Sequence, residues 1–304
     1  MLALVTPGQG AQTPGMLAPW IEDTSARNLL TEWSAAIDLD LVRLGTTADA
    51  DEIKDTANAQ PLIVAAGLLG ARALRKENSF TFVAGHSVGE ITAAALAGVI
   101  SEIDAMKLVR ARGIEMAKAA AVSPAGMAAV LGGDREVVLR AIADLGLVAA
   151  NDNGGGQIVA AGDLEALAKL APEGARVRAL AVAGAFHTSY MEPAVAPLRT
   201  LAASLAVQDP KCGVISNKDG AVIRDGREVL DRIVAQISNP VRWDLCMTTL
   251  SENVSGALEV PPAGTLVGLL KRAVPIVETF ALKSFADITL ADEFALRHNQ
   301  EVES

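Results

Sequence analysis

Apolar residues in this chain gather into short unbroken runs, separated by longer stretches with apolar positions three and four apart. That rhythm belongs to strands buried on both faces, alternating with the helices that cover them. Leu2–Thr6 is one such run, and Pro7-Gly8 stops it. Phe82–Gly85 is a second, followed by a helix predicted over Glu90–Ala97 and ended by Gly98. Ser101 opens the next helix, which runs to about Ala121.

Between Met127 and Val182 the rhythm shortens. Strands are predicted at 127–131, 147–150, 157–161 and 177–182, with helices at 134–145 and 164–170. The order β-α-β-β-α-β is that of a ferredoxin-like unit. The larger pattern then resumes. Helices are predicted at 192–206, 227–237 and 241–253, strands at 213–216, 257–260 and 276–282, and a last helix over Asp287–His298. The expected fold class is α/β. Residues 1–122 and 186–304 form a large, discontinuous, α/β-hydrolase-like catalytic domain with a parallel sheet core. Residues 123–185 form an inserted ferredoxin-like small domain.

Composition narrows the class. With 304 residues, 51% hydrophobic and 20% charged, the chain has enough apolar side chains for a large core. Alanine supplies much of that fraction, so a mean hydropathy of +0.32 does not imply a membrane protein. No run of about 18 apolar residues is free of charges and breakers, so no transmembrane helix is expected. Met1–Thr6 leads into Pro7 without a basic segment or a long apolar stretch, which argues against a signal peptide. Only Cys212 and Cys246 are present, and two cysteines suit a reducing cytoplasm. No Cys/His cluster has zinc spacing, so no metal is expected. A net charge of -10 argues against general binding to nucleic acid or anionic membranes. A monomer is expected from the acidic surface alone.

The chemistry centres on Gly85-His86-Ser87-Val88-Gly89, a G-x-S-x-G pattern between a predicted strand and a predicted helix. Such glycines permit a tight, strained turn that holds a serine Oγ clear of the backbone, with a helix N-terminus aimed at the site. The bland reading is a glycine-rich turn with a bystander serine. A serine at its free pKa needs a base. Of three histidines, His86 adjoins the serine and reads as structural, and His298 is expected to be solvated. His187 lies where the inserted domain rejoins the large one, a place that lines a cleft. Alone it reads as a structural histidine; beside Ser87 it is the base candidate by elimination. No acid between them stands out, so a Ser–His dyad with an amide or carbonyl orienting the ring fits better than a triad.

Arg112 falls on a helical face with Ala105, Leu108, Val109 and Met116. A guanidinium there needs a partner. A substrate carboxylate is one reading and a structural ion pair the other. Gly8-Gln9-Gly10-Ala11-Gln12 after the first strand is either a backbone N–H donor loop or a plain turn.

Taken in order, Pro7-Gly8-Gln9-Gly10, Ala59-Gln60-Pro61, Gly85-His86-Ser87-Val88-Gly89-Glu90, Arg110-Ala111-Arg112-Gly113 with Met116, Gly184-Ala185-Phe186-His187, Gln236 with Asn239-Pro240-Val241, and Glu259-Val260 are specific together. The whole chain resembles the malonyl-CoA:acyl carrier protein transacylases. The resemblance implies transfer of malonyl from malonyl-CoA to the phosphopantetheine thiol of a transiently bound acyl carrier protein, in fatty-acid synthesis, with no cofactor. It implies Ser87 as nucleophile, His187 as base and Gln236 supporting the histidine. Arg112 would hold the malonyl carboxylate, Gln60 would line the acyl pocket, and the N–H groups of Gln9 and Val88 would form the oxyanion hole. Phe186 matches malonyl-selective members, where a phenyl ring leaves little room for an α-methyl group. The chain departs from the family pattern at Pro261-Pro262-Ala263-Gly264 and at Thr188, neither of which is a chemical group of the site. Lys271-Arg272, Arg242 and Lys218 are the candidates for docking an acidic carrier. An esterase or thioesterase is the rival enzyme class, disfavoured by the missing acid and by Arg112. A non-catalytic carrier-binding subunit is disfavoured by the presence of both Ser87 and His187.

Overall fold

The computed structural model describes residues 1–75 and 79–300. Eleven strands are present among them. In chain order they are β1 (Leu2–Thr6), β2 (Phe82–Gly85), β3 (Ala125–Gly132), β4 (Val148–Asp152), β5 (Gln157–Asp163), β6 (Ala175–Ala179), β7 (Gly213–Ile215), β8 (Val222–Ile223), β9 (Val241–Arg242), β10 (Gly256–Glu259) and β11 (Glu278–Ala281).

Six of them make one sheet in the order β11-β10-β1-β2-β7-β8. All neighbours are parallel except β7 and β8. The apolar runs are continuous because both faces are covered. On one face Leu2, Leu4, Val83 and Leu258 pack into the main core with the helices Thr56–Ala73 and Glu102–Ala120. On the other, Ala3, Val5, Ala84 and Ala257 meet the helices Trp243–Asn253 and Thr265–Ala273.

The other five strands form a second sheet in the order β6-β3-β5-β4-β9. Four come from 125–179, in the element order strand, helix, strand, strand, helix, strand. Ala128, Val130, Ile158 and Ala160 pack beneath their two helices. The alternate residues Met127 and Val159 face a cleft between the sheets. The fifth strand, β9, is donated from far along the chain and pairs in parallel with β4, Asn151 opposite Val241.

Several expectations change. The strand predicted at 177–182 is β6, Ala175–Ala179; beyond it the chain leaves the sheet, and Leu180 and Val182 line the cleft. β8 and β9 are two-residue strands, too short to show a period. Residues 24–73 hold four helices where no element was predicted, Thr24–Ile37, Leu41–Thr46, Ala50–Lys54 and Thr56–Ala73. Each begins after an aspartate whose side chain accepts from the first turn. His298 is not solvated: it is 4% exposed. The helix Ile288–Gln300 packs Ala291, Phe294 and Ala295 inward, and His298 follows Phe294 one turn on. Its ring nitrogens lie 2.8 Å from Ser255 Oγ and 3.1 Å from Glu278 Oε2. No helix among the described residues is long and apolar enough to cross a membrane.

Candidate active site

β2 ends at Gly85, and the helix Gly89–Leu96 starts four residues later. Ser87 sits at the apex with φ of 54°, in the left-handed region. Such a conformation costs a non-glycine residue roughly 1–2 kcal/mol and persists only where its surroundings hold it. Glycines make the turn possible. A Cβ on Gly89 would come within 2.2 Å of Thr6 O, and one on Gly85 within 2.1 Å of the Gly89 carbonyl carbon.

The turn presents Ser87 Oγ 2.8 Å from His187 Nε2. His187 is 3% exposed and also has a positive φ, 63°. Its Nδ1 lies 3.0 Å from both the carbonyl oxygen and the Nε2 of Gln236. A carbonyl can only accept, so a hydrogen bond to it places the ring proton on Nδ1 and leaves Nε2 as acceptor for the serine hydroxyl; the Gln236 Nε2, itself only a donor, is then a contact and not a hydrogen bond. Burial, then the Arg112 charge, pull the His187 pKa from 6.5 down to about 3, against the raising effect of the Gln236 carbonyl. The ring is therefore neutral at ordinary pH, the state a base requires.

Arg112 comes in from the helix Glu102–Ala120. It is 2% exposed, among the largest side chains this deeply buried. One Nη donates to Gln60 Oε1 at 2.6 Å and the other lies 3.3 Å from Ser87 Oγ. Burial lowers its pKa to about 10, offset by the Glu90 charge, so it stays a cation at neutral pH. No carboxylate pairs with it within salt-bridge distance among the described residues.

These groups line a cleft of about 450 Å³ that also takes in Gln9, Phe186, Asn151 and Asn153. Thus Ser87, His187, Gln60, Arg112, Phe186 and Gln9 face one space, Gln236 stands behind the histidine, and Val88 is buried at the start of the helix. His86 Nε2 meets Asn153 Oδ1 at 2.8 Å and its ring packs edge-on to Trp243. Arg272 lies at the cleft edge, while Arg242 is tied by two bonds to Asp244. No group of three or more His, Cys, Asp or Glu side chains among the described residues is gathered as metal ligands would be.

Sequence reasoning gave no role to two contributors. Asn217, after β7, is fully buried against the turn, with its side-chain oxygen 2.8 Å from the Ser87 N–H. Glu90, 3% exposed, accepts the Asn217 N–H at 2.8 Å. Burial raises the Glu90 pKa to about 8 despite that hydrogen bond. Glu90 belonged to the turn motif; Asn217 carried no local pattern at all.

A serine hydroxyl is thus held against a neutral imidazole, beside a buried cation that no carboxylate pairs among the described residues. Residues 3–286 match the acyl transferase domain, and the chain belongs to that family. It is an acyltransferase. Within the family it stands with the malonyl CoA-acyl carrier protein transacylases. It is 52% identical over 303 residues to the protein of that name from Mycobacterium tuberculosis strain H37Rv, covering 97% of this chain and 99% of that one. The crystal structure of MCAT from Mycobacterium tuberculosis superposes with a TM-score of 0.92 at 53% identity, over 97% and 99% of the two chains. A malonyl-transacylase solved in complex with its type II PKS acyl-carrier protein has a TM-score of 0.89 at 30% identity, over 96% and 99%.

Proposed function

We propose that this enzyme transfers malonyl from malonyl-CoA to the phosphopantetheine thiol of an acyl carrier protein, through a malonyl-Ser87 intermediate. The observation that carries the proposal is the contact of Ser87 Oγ with two groups at once, His187 Nε2 at 2.8 Å and an Arg112 Nη at 3.3 Å. The names of its relatives supply the acyl group and the acceptor.

His187 Nε2 takes the proton as Ser87 Oγ attacks the thioester carbon, and Nδ1 keeps its own proton against the Gln236 carbonyl. Negative charge develops on the thioester oxygen. The N–H groups of Gln9 and Val88 receive it; neither donates to another group among the described residues. Each such donor is worth on the order of 10²–10³ in rate. The C–S bond then breaks, and His187 returns the proton to the coenzyme A thiolate. The carrier's thiol repeats the sequence in reverse order on the malonyl ester. Arg112, oriented by Gln60, pairs the malonyl carboxylate as a planar fork, and Phe186 narrows the pocket. No cofactor or metal takes part.

On this reading residues 123–185 are a ferredoxin-like domain, as its strand order β6-β3-β5-β4 supports. That domain is inserted into an α/β-hydrolase-like one made of 1–122 and 186–304. The enzyme acts as a cytoplasmic monomer in fatty-acid synthesis, and Arg272 at the cleft edge, with its neighbour Lys271, meets the acidic carrier. Intact-protein mass after mixing with malonyl-CoA tests the reaction. A malonyl adduct is expected, absent in Ser87→Ala and discharged by a thiol-bearing carrier. Loss of the adduct to water as fast as to the carrier would make the protein a hydrolase.

A further inference from the structure

We propose that Asn217 is a positioning residue for the nucleophile, holding Ser87 in its left-handed conformation by bridging the two ends of the turn. The proposal rests on the reading of Ser87 as nucleophile. Asn217 Oδ1 accepts the Ser87 N–H at 2.8 Å, and Nδ2 donates to Gly85 O at 2.7 Å. One amide thus spans Gly85-His86-Ser87 from below, on the side away from the cleft.

The amide cannot turn over. A flip would set its NH₂ against the Ser87 N–H and its oxygen against the Gly85 carbonyl, two repulsive pairs in a buried place. The Asn217 backbone is held as well. Its N–H donates to Glu90 Oε1 at 2.8 Å, and its carbonyl accepts from the Arg242 N–H at 2.8 Å. With 0% exposure, every polar group of Asn217 is engaged. The residue is fixed to the first turn of the helix that follows Ser87, to β9 and to the end of β2. From the opposite side Thr6 Oγ1 donates to Gly89 O at 2.7 Å.

The arrangement has a chemical consequence. Because Asn217 occupies the Ser87 N–H, that donor is withheld from the developing oxyanion, and Oγ is aimed by a backbone that cannot relax. Asn217 is absent from the cleft lining, so it acts on rate and not on substrate affinity.

The test compares Asn217→Ala, Asn217→Asp and Cys246→Ala with the unchanged enzyme. Cys246 is the control, because its buried thiol lies 3.7 Å from the Asn217 amide without reaching the turn. Two readouts are taken on each folded protein, with melting temperature recorded. One is the rate and KM of malonyl-enzyme formation; the other is the rate at which Ser87 is phosphonylated by a small neutral fluorophosphonate. Asn217→Ala is expected to slow both reactions by tenfold or more, with KM and the malonyl-to-acetyl preference within twofold. Asn217→Asp keeps the acceptor for Ser87 but sets an oxygen against the Gly85 carbonyl in place of the donor, and is expected to slow both reactions by tenfold or more as well. Cys246→Ala is expected to lower the melting temperature while leaving both rates within twofold. Rates within twofold in Asn217→Ala, or a loss confined to KM, would overturn the proposal. If that variant does not fold, Asn217→Asp is judged by the same criteria. If the unchanged enzyme forms no malonyl adduct, the transferase reading fails, while the fluorophosphonate rates still decide whether Asn217 aims Ser87.

Discussion

On the function proposed above, Arg112 is the residue that sets substrate choice. Its charge is buried, yet its protein contacts are the Gln60 amide oxygen and the serine hydroxyl, both neutral acceptors. A cation left in that state is costly, and a ligand carboxylate relieves the cost. Acetyl brings no such group, so it enters against an unpaired charge. Arg112→Lys keeps the charge but loses the fork. Its malonyl-to-acetyl labelling ratio is expected to drop by about tenfold, equivalent to ~1.4 kcal/mol. A ratio that does not move would mean that selection lies elsewhere in the cleft. This residue was legible in the sequence because helical periodicity placed a guanidinium among Leu108, Val109 and Met116, all of which are buried. Ser87 and His187, 100 positions apart, were paired by motif and elimination. Asn217 was invisible, since its side-chain bonds to the turn reach backbone atoms 130 and 132 positions away, and no local pattern encodes them.

The turn and its helix form the next scale, and Glu90 in the first helical turn titrates there. Its pKa is raised to about 8 when folded, from 4.5. Between those values the folded protein keeps a proton that the unfolded chain has released. Stability is therefore fully present below about pH 4.5 and declines as pH rises to about 8. His187 works in a separate window. Its folded pKa is lowered to about 3, so it destabilises the fold only as pH falls below its ordinary 6.5. Melting temperatures at pH 6.5 and 8 sample the Glu90 window, and the variant below separates Glu90 from buried Glu259, whose pKa is raised as well. Over that interval the Glu90 loss is on the order of 2 kcal/mol, and Glu90→Gln, neutral throughout, is expected to abolish most of the decline. An equally steep decline in the variant would show that Glu90 is ionised in the fold. In the large sheet β1, β2 and β10 were legible because their apolar runs end at or just before glycine or proline, as does β3 in the small sheet, whereas β8 was too short to register. Of the helices of 24–73, Leu41–Thr46 and Ala50–Lys54 are too short for their period to register, and Thr56–Ala73 is buried nearly all round, so it carries no polar face to mark one.

At the scale of the molecule, β9 joins the small sheet to the body of the protein. Arg242 N–H reaches Asn217 O, and Asp152 beside it in β4 is bridged to Arg135 at 2.8 Å. The cleft wall formed by the small sheet is therefore not a free flap. Native-state hydrogen exchange is expected to protect β4 and β9 as strongly as β1 and β2. Exchange of β3 to β6 as an independent, weaker unit would refute this. The position of β1 has a different consequence. It lies mid-sheet, between β10 and β2, with Leu2 opposite Gly256 and Ala3 opposite Phe82. Leu2–Thr6 leaves the ribosome well before Gly256–Glu259, so one of its edges has no partner until some 250 further residues have been made. Through that wait it is an uncovered apolar strand, the kind of surface that draws chaperones and aggregates. For this chain the hazardous interval is synthesis itself, and its length is set by how late Gly256–Glu259 arrives.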